Sequence, residues 1–313
     1  MNKKIIFISS HFDLAMISLI HKFLDKRELA IFNVNSEFNF NISSKIDFKD
    51  IKGDEKTIIS KIFNETNKND ILLFYKDCFN IKDRRTIFYV DEPLKGLFAK
   101  KPSRYVFQSN VAYNLYSKKY KGSMQLYMPL IYSPKRDTLP KNKTICCIYK
   151  EQTWPFVVDA ITNLINDERK PEEPTFNLVV AGKEVEIKDE RMKKITTFVD
   201  SIDQAFSSAD VFIHMEKDVT FDHMILDAAS QSIVTVSLPF KNVSEIIRDT
   251  ETGFISSENV SLFASLVKDT ITDVRKLPKL KDNAYQFSLK FTDDIILPKW
   301  EELFNLEDTS LVK

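Results

Sequence analysis

Glycine is scarce in this chain, with five in 313 residues. Phosphate-wrapping loops lean on glycine because bare backbone can approach the ligand closely, so a glycine-built cradle has little material here. Cysteine is almost as rare. Three are present, Cys78, Cys146 and Cys147. Cys146 and Cys147 are adjacent in an apolar run that reads as a strand, where neighbours point to opposite faces and suit neither one metal nor one disulfide. The odd count and the spacing argue against a disulfide framework and against a zinc site. The cysteines are expected to be core residues. Long apolar runs are absent too. Ile5–Ile8 is too short for a signal peptide, and no run approaches the ~18 residues of a membrane span. Net charge is missing as well: 45 basic residues balance 45 acidic ones. The molecule as a whole exerts no pull on nucleic acid or membrane, and any such attraction must be local. The expected location is cytoplasmic, with peripheral contact at a membrane left open.

What is present is an alternation. At roughly 100–200 residues per domain the length suggests two domains. In the first half, Lys4–Ser9, Leu29–Val34, Ile71–Tyr75, Thr86–Val90, Tyr105–Gln108 and Met124–Met128 read as strands. Leu14–Leu24, Glu55–Asn67 and Asn110–Tyr120 carry apolar residues at helical spacing. Strands alternating with helices mean βαβ units and a parallel sheet. Ser133–Asn142 is polar with two prolines and reads as a linker. A second alternation follows. Strands are predicted at Thr144–Tyr149, Phe176–Ala181, Ile195–Val199, Val211–His214 and Ile233–Ser237. Helices are predicted at Pro155–Asn166, Ile202–Ser208, Phe221–Ser230, Val243–Arg248, Val260–Val274, Ala284–Lys290 and Pro298–Phe304. The expected plan is α/β with an N-terminal Rossmann-like domain over 1–135, a C-terminal one over 143–290, and a helical segment over 291–313 crossing back to the first.

Residues 195–214 run from a strand through Asp200 and a short helix to Ala209-Asp210-Val211-Phe212. They are followed by Met224-Ile225-Leu226-Asp227-Ala228-Ala229, by the strand Ile233–Ser237, and by Ser244-Glu245-Ile246-Ile247 and Thr252-Gly253-Phe254. This order resembles the C-terminal domain of retaining GT-B glycosyltransferases of the group 1 (GT4) kind over roughly 144–304. There "ADVF" precedes an "LLEAMA" helix, a "PVVAS" strand and a "PEVI…TGF" stretch. The resemblance implies two Rossmann-like domains facing a cleft, with the first receiving the acceptor and the second holding a nucleotide-diphosphate sugar of the UDP or GDP type. It implies a metal-independent transfer with retention and no resident cofactor. The chain also departs from the family. The family sets two glutamates eight positions apart; here Asp227 takes the second place and Val219 stands eight earlier, with Glu216 and Asp218 nearby. Thr220 and Asp222 replace the glycines after the first acid, and the loop after the first strand is Ser-Ser-His-Phe-Asp over 9–13. A non-catalytic GT-B-like accessory or binding subunit therefore stays open beside the enzyme.

A departing diphosphate needs positive charge, which lysines and helix N-termini can supply without a metal. Lys150 and Lys183 each follow a strand of the second domain, at the edge where open α/β sheets bind ligands. Both are candidate clamps, each set against a plain solvated lysine. Val199 and Asp200 occupy the place where the family's backbone meets the base. Asp227 is the candidate for the ribose hydroxyls, against a helix-face acid in a salt bridge. Thr220 and Phe221 open the helix that meets phosphate oxygens, although Asp218 and Asp222 would repel phosphate unless turned away. His11 follows the first strand as a candidate sugar or phosphate contact. His21 and His214 read as structural, and the four histidines show no metal-ligand spacing. Over 82–136 there are twelve Lys or Arg and three acids, among them Arg84, Arg85, Lys100, Lys101, Arg104, Lys118, Lys119 and Lys121. The bland reading is a solvated basic face. The sharper one is an acceptor side meeting a glycan, a lipid-linked phosphate, a protein or nucleic acid.

Overall fold

The computed structural model describes residues 3–76, 85–90, 104–120, 122–135, 143–166, 176–217, 221–274 and 277–310. They form two compact units, residues 1–131 with 291–313, and residues 132–290.

In the first unit, strands β1 (Ile5–Ser9), β2 (Leu29–Val34), β3 (Asp47–Ile51), β4 (Ile71–Tyr75), β5 (Thr86–Val90), β6 (Arg104–Phe107) and β7 (Met124–Gln125) make one parallel sheet in the order β3-β2-β1-β4-β5-β6-β7. Helices α1 (Leu14–Phe23), α2 (Glu55–Asn64) and α3 (Asn110–Tyr116) connect them. A parallel sheet covered on both faces demands continuous apolar strands. β1, β2, β4 and β5 are buried at every position. The helix starts are fixed by side-chain caps: Asp13 accepts from Met16 N at 3.0 Å, and Asp54 from Thr57 N at 2.8 Å.

In the second unit, β8 (Thr144–Ile148), β9 (Asn177–Ala181), β10 (Thr196–Val199), β11 (Val211–His214), β12 (Val234–Ser237) and β13 (Phe254–Ile255) form a parallel sheet in the order β10-β9-β8-β11-β12-β13. Its helices are α4 (Trp154–Asn166), α5 (Glu190–Ile195), α6 (Ile202–Ser208), α7 (His223–Ser230), α8 (Val260–Asp273) and α9 (Pro278–Ser288). Cys147 lies with Ile145, Val180 and Ile213 in the core of this unit. Burial pushes the Cys147 thiol up to about 12 and raises Cys146 as well, so neither is a reactive thiolate. Cys78 lies outside the described residues.

After α9 the chain rejoins the first unit through a last helix, α10 (Asp293–Ser310). Trp300 is fully buried, donates from Nε1 to Tyr127 O at 3.0 Å, and packs its ring 5.3 Å from that of Tyr89. Phe304 meets Phe23 edge-on at 5.5 Å.

Several elements differ from the sequence reading. β3, α5 and β13 were not predicted. Phe221–Ser230 begins two residues later, because Asp222 caps α7 and leaves Phe221 in the loop. Met124–Met128 holds only two ladder residues, and Val243–Arg248 is helical only as a 3-10 turn over Val243–Glu245. Among the described residues no helix is long and apolar enough to cross a membrane.

Candidate functional site

In an open parallel sheet, ligands bind beyond the carboxyl ends of the strands where the strand order reverses. In the second unit that reversal lies between β8 and β11, paired as Val211 with Ile145 and Phe212 with Cys146. Lys150 sits just past β8, and its carbonyl accepts the amides of Thr153 and Trp154 that start α4. Glu216 sits just past β11. The Lys150 ammonium pairs with the Glu216 carboxylate, and both residues line a small cavity of about 10 Å³, roughly one water in size.

His214 ends β11 directly opposite Ser237 of β12. Its Nδ1 lies 2.9 Å from Ser237 Oγ, and its Nε2 lies 3.0 Å from Asp222 Oδ2. Ser237 Oγ also lies 2.7 Å from Leu238 O, to which it can donate. The ring of His214 is thus held at both ends, by the β12 hydroxyl and by the Asp222 carboxylate. Burial by itself pushes the Asp222 carboxyl up. The hydrogen bond and charge of His214, the Met224 amide and the charge of Lys150 outweigh burial and bring it down to about 2. Both Asp222 oxygens have partners within the protein, Oδ2 on His214 and Oδ1 on Met224 N at 2.8 Å.

The ligand atoms of His214, Glu216 and Asp222 all lie within 4.8 Å of one another, a set that divalent metals use. Within this set Glu216 also pairs with Lys150, and Asp222 with His214.

Lys183 and Asp200 lie on the same sheet edge. The ladder steps from Tyr149 N to Ala181 O and from Gly182 N to Val199 O, both at 2.8 Å, so Lys150, Lys183 and Asp200 follow three neighbouring strands. Gly182 holds φ at +115°, a conformation that side chains rarely adopt. Lys183 and Asp200 are exposed, and Val199 is half-buried. Phe221 is buried with its ring 5.0 Å from that of His223. Asp218 and Thr220 lie outside the described residues.

Asp227 corrects the picture of an open ribose acceptor. It lies within α7 at 0% exposure, and its Oδ1 accepts from Tyr132 N at 3.2 Å. Its charge also helps burial to raise the Tyr132 phenol. The cause is that α7 turns this face into its own unit, so a ribose must displace protein to reach the carboxylate.

His11 belongs to the first unit, exposed past β1, with Nδ1 2.5 Å from Ser10 Oγ. That unit has its own reversal, between β1 and β4. Lys76, just past β4, holds a left-handed φ of +60° and places Nζ 3.0 Å from Asp13 Oδ2, which also accepts from the Tyr75 hydroxyl. Burial raises the Asp13 carboxyl, and Lys76, Tyr75 and the Met16 amide lower it further, for a net fall. The sequence reading missed Asp13 and Lys76. The signal was a charged residue after each strand, but the strand order that singles out these two is not written locally. The basic stretch is partly tied up: Arg85 is buried and donates to Asn67 O, while Lys118 and Lys119 are exposed. Arg84, Lys100, Lys101 and Lys121 lie outside the described residues.

With this geometry in hand, residues 145–273 match the family of glycosyl transferases group 1. No curated protein matches the chain. Among solved structures it is similar to Anabaena HepE in complex with UDP and glucose, at 12% identity and TM-score 0.67, covering 96% of this chain and 99% of that one. It is similar to sucrose-phosphate synthase from Thermosynechococcus elongatus, at 11% identity and TM-score 0.66, covering 98% and 100%. A third is WaaG, a glycosyltransferase of lipopolysaccharide biosynthesis, at 10% identity and TM-score 0.65, covering 96% and 99%. At such identities the likeness speaks for the fold, which is GT-B; the group 1 match speaks for the second half of the chain.

Proposed function

We propose that this chain, a glycosyltransferase of the group 1, GT-B type, takes its sugar from a nucleotide-diphosphate donor of the UDP or GDP type held by the second unit. The observation that carries the reading is Lys150 at the strand-order reversal of the group 1 domain, with Lys183 and Asp200 on the same sheet edge. HepE, of similar fold, is described with UDP and glucose. In the proposed reaction the bond between the anomeric carbon and the β-phosphate oxygen breaks, and an acceptor hydroxyl oxygen bonds to that carbon with retention, its proton passing to the departing diphosphate. The negative charge left on the diphosphate is met by Lys150 and Lys183. Val199 and Asp200 border the base, Asp227 serves the ribose once the Tyr132 backbone gives way, and Phe221 leads into α7, with Thr220 its neighbour in sequence. Glu216 and Asp218 are the acids closest in sequence to the family's first glutamate, and Glu216 must release Lys150 when the diphosphate arrives. The acceptor, a glycan, lipid-linked group, protein or nucleic acid, is expected on the first unit with His11 among its contacts.

One observation favours a second reading, a binding subunit without turnover. Val219 stands where the family has its first acid, and Glu216 is engaged with Lys150. Incubation with a panel of nucleotide sugars, following release of nucleoside diphosphate, separates the two. Turnover that is lost in Lys150→Ala and in Asp227→Ala supports the enzyme. Tight glycan or protein binding with no release from any donor supports the subunit.

A further inference from the structure

Six large apolar side chains are exposed among the described residues: Leu14, Val111, Leu115, Leu262, Ile295 and Leu306. Singly they mean little, and their neighbours decide. Leu14 follows Asp13, Leu262 lies between Glu258 and Asp269, Ile295 follows Asp293 and Asp294, and Leu306 follows Glu301 and Glu302. Val111 and Leu115 stand in different company. From residue 93 to residue 136 the chain carries nine Lys or Arg and no Asp or Glu, although the whole protein has no net charge. We propose that α3 docks this face on an anionic lipid surface, with Val111 and Leu115 entering the headgroup layer and Lys118 and Lys119 meeting the lipid phosphates.

The helix sorts its side chains accordingly. Residues 111, 115, 118 and 119 are spaced by four and three, so they share one side. The turn persists past α3, since Ser117 N donates to Tyr113 O at 2.8 Å and Tyr120 N to Tyr116 O at 3.0 Å. Leu115 is 61% exposed, and Lys118 and Lys119 are exposed beside it. The other side packs on the sheet: Ala112 is buried, the Tyr116 ring lies 5.9 Å from that of Phe107, and the Tyr120 ring 4.6 Å from that of Tyr105. A nucleic acid would use the same cations together with aromatic rings turned outward to stack on bases. Here the tyrosines pack inward and an aliphatic pair is left outside. A stable protein interface needs about 800 Å² of matched surface per partner, more than one face of a helix about 10 Å long presents. A bilayer asks for no matching shape, and two apolar side chains with a few cations give it a reversible, salt-sensitive hold. Nothing in this face involves the residues assigned to the donor.

The test is co-sedimentation of the whole chain with vesicles of phosphatidylcholine alone and of phosphatidylcholine with about one-third phosphatidylglycerol. Expected is binding about tenfold stronger to the anionic vesicles at low salt, lost at about 0.5 M salt. Leu115→Ser and the double variant Lys118→Gln/Lys119→Gln should each weaken it about fivefold. Leu262→Ser, at a leucine of the second unit with the same 61% exposure, should leave it unchanged. Equal binding to both vesicles, binding to neither, or a Leu115→Ser variant that binds like wild type overturns the inference. A tighter hold on single-stranded DNA that Leu115→Ser leaves intact would assign the cations to nucleic acid and overturn it as well. Should Leu115→Ser fail to fold, Leu115→Trp reads insertion directly. Added fluorescence that shifts to the blue on anionic vesicles and is quenched by brominated lipid supports the inference, and unshifted fluorescence overturns it. UDP binding, measured in parallel on the wild type, keeps the two readings apart: its absence counts against the donor site and leaves the lipid surface standing.

Discussion

The two sheets reverse strand order in the same way, and each puts a lysine and an acid at the reversal, yet the two places are built differently. In the first unit Asp13 gathers Lys76, the Tyr75 hydroxyl and the Met16 amide around a single carboxylate. One acid holds every donor, and Lys76 adopts a left-handed backbone to reach it. In the second unit two acids take separate partners, Glu216 with Lys150 and Asp222 with His214. Lys150 keeps 43% of its side chain in solvent, against 33% for Lys76. The lesson is that one topology offers the same position twice, and the local pairing decides whether the cation is free to exchange partners.

The comparison can be broken in four ways. The largest effect is expected in the scaffold of the first unit. Trp300→Ala should cost about 3–5 kcal/mol, because it removes a fully buried ring. Hydrogen exchange should then rise at β1 and β4 and stay low at β8 and β11; a uniform rise would mean that the halves do not unfold separately. Next come the two lysines. Lys150→Ala should weaken UDP binding by about 30-fold, roughly 2 kcal/mol, and Lys76→Ala by less than about threefold. Equal losses would erase the distinction between the two reversals. A comparable effect is tied to pH. The folded Asp222 carboxyl is at about 2, below its ordinary value of 3.8, so its pairing stabilises the fold above about pH 4, and that contribution fades as pH falls toward about 2. Asp222→Asn should therefore cost on the order of 2 kcal/mol at neutral pH, with the gap to wild type closing in acid denaturation curves. Asp13 should act in the same direction in the first unit. The smallest effect belongs to Lys76→Gly. Relief of the left-handed backbone, about 1 kcal/mol, offsets the lost ion pair, and urea unfolding should lie within about 1 kcal/mol of wild type. A loss much above that would make Lys76 a stronger strut than its pairing suggests.

The βαβ plan was legible because buried parallel strands are unbroken apolar runs; β4 and β5 have the predicted bounds. β3 was not, because its residues Asp47, Phe48, Lys49 and Asp50 form a partly exposed edge without that signature. α5 is six residues long and ends where β10 begins, too short for a helical period to show. Lys150 and Lys183 were legible as cations following strands. The His214–Asp222 pair was not, since it depends on the register that sets His214 beside Ser237 and on a partner eight positions further along the chain. Asp227 falls on the predicted helix, but which side of that helix is covered is decided by tertiary packing.

The rejoining of α10 to the first unit has a consequence for synthesis. A ribosome delivers the chain from its N-terminus, so all of β8 to α9 emerges before Trp300 can reach Tyr89 and Tyr127. The second unit has its whole sequence in hand early, while the older half waits with an apolar seat open beside Phe23 and Tyr89. A chaperone that shields nascent chains would be expected to dwell there, and a stop codon ahead of residue 291 would leave that seat permanently bare.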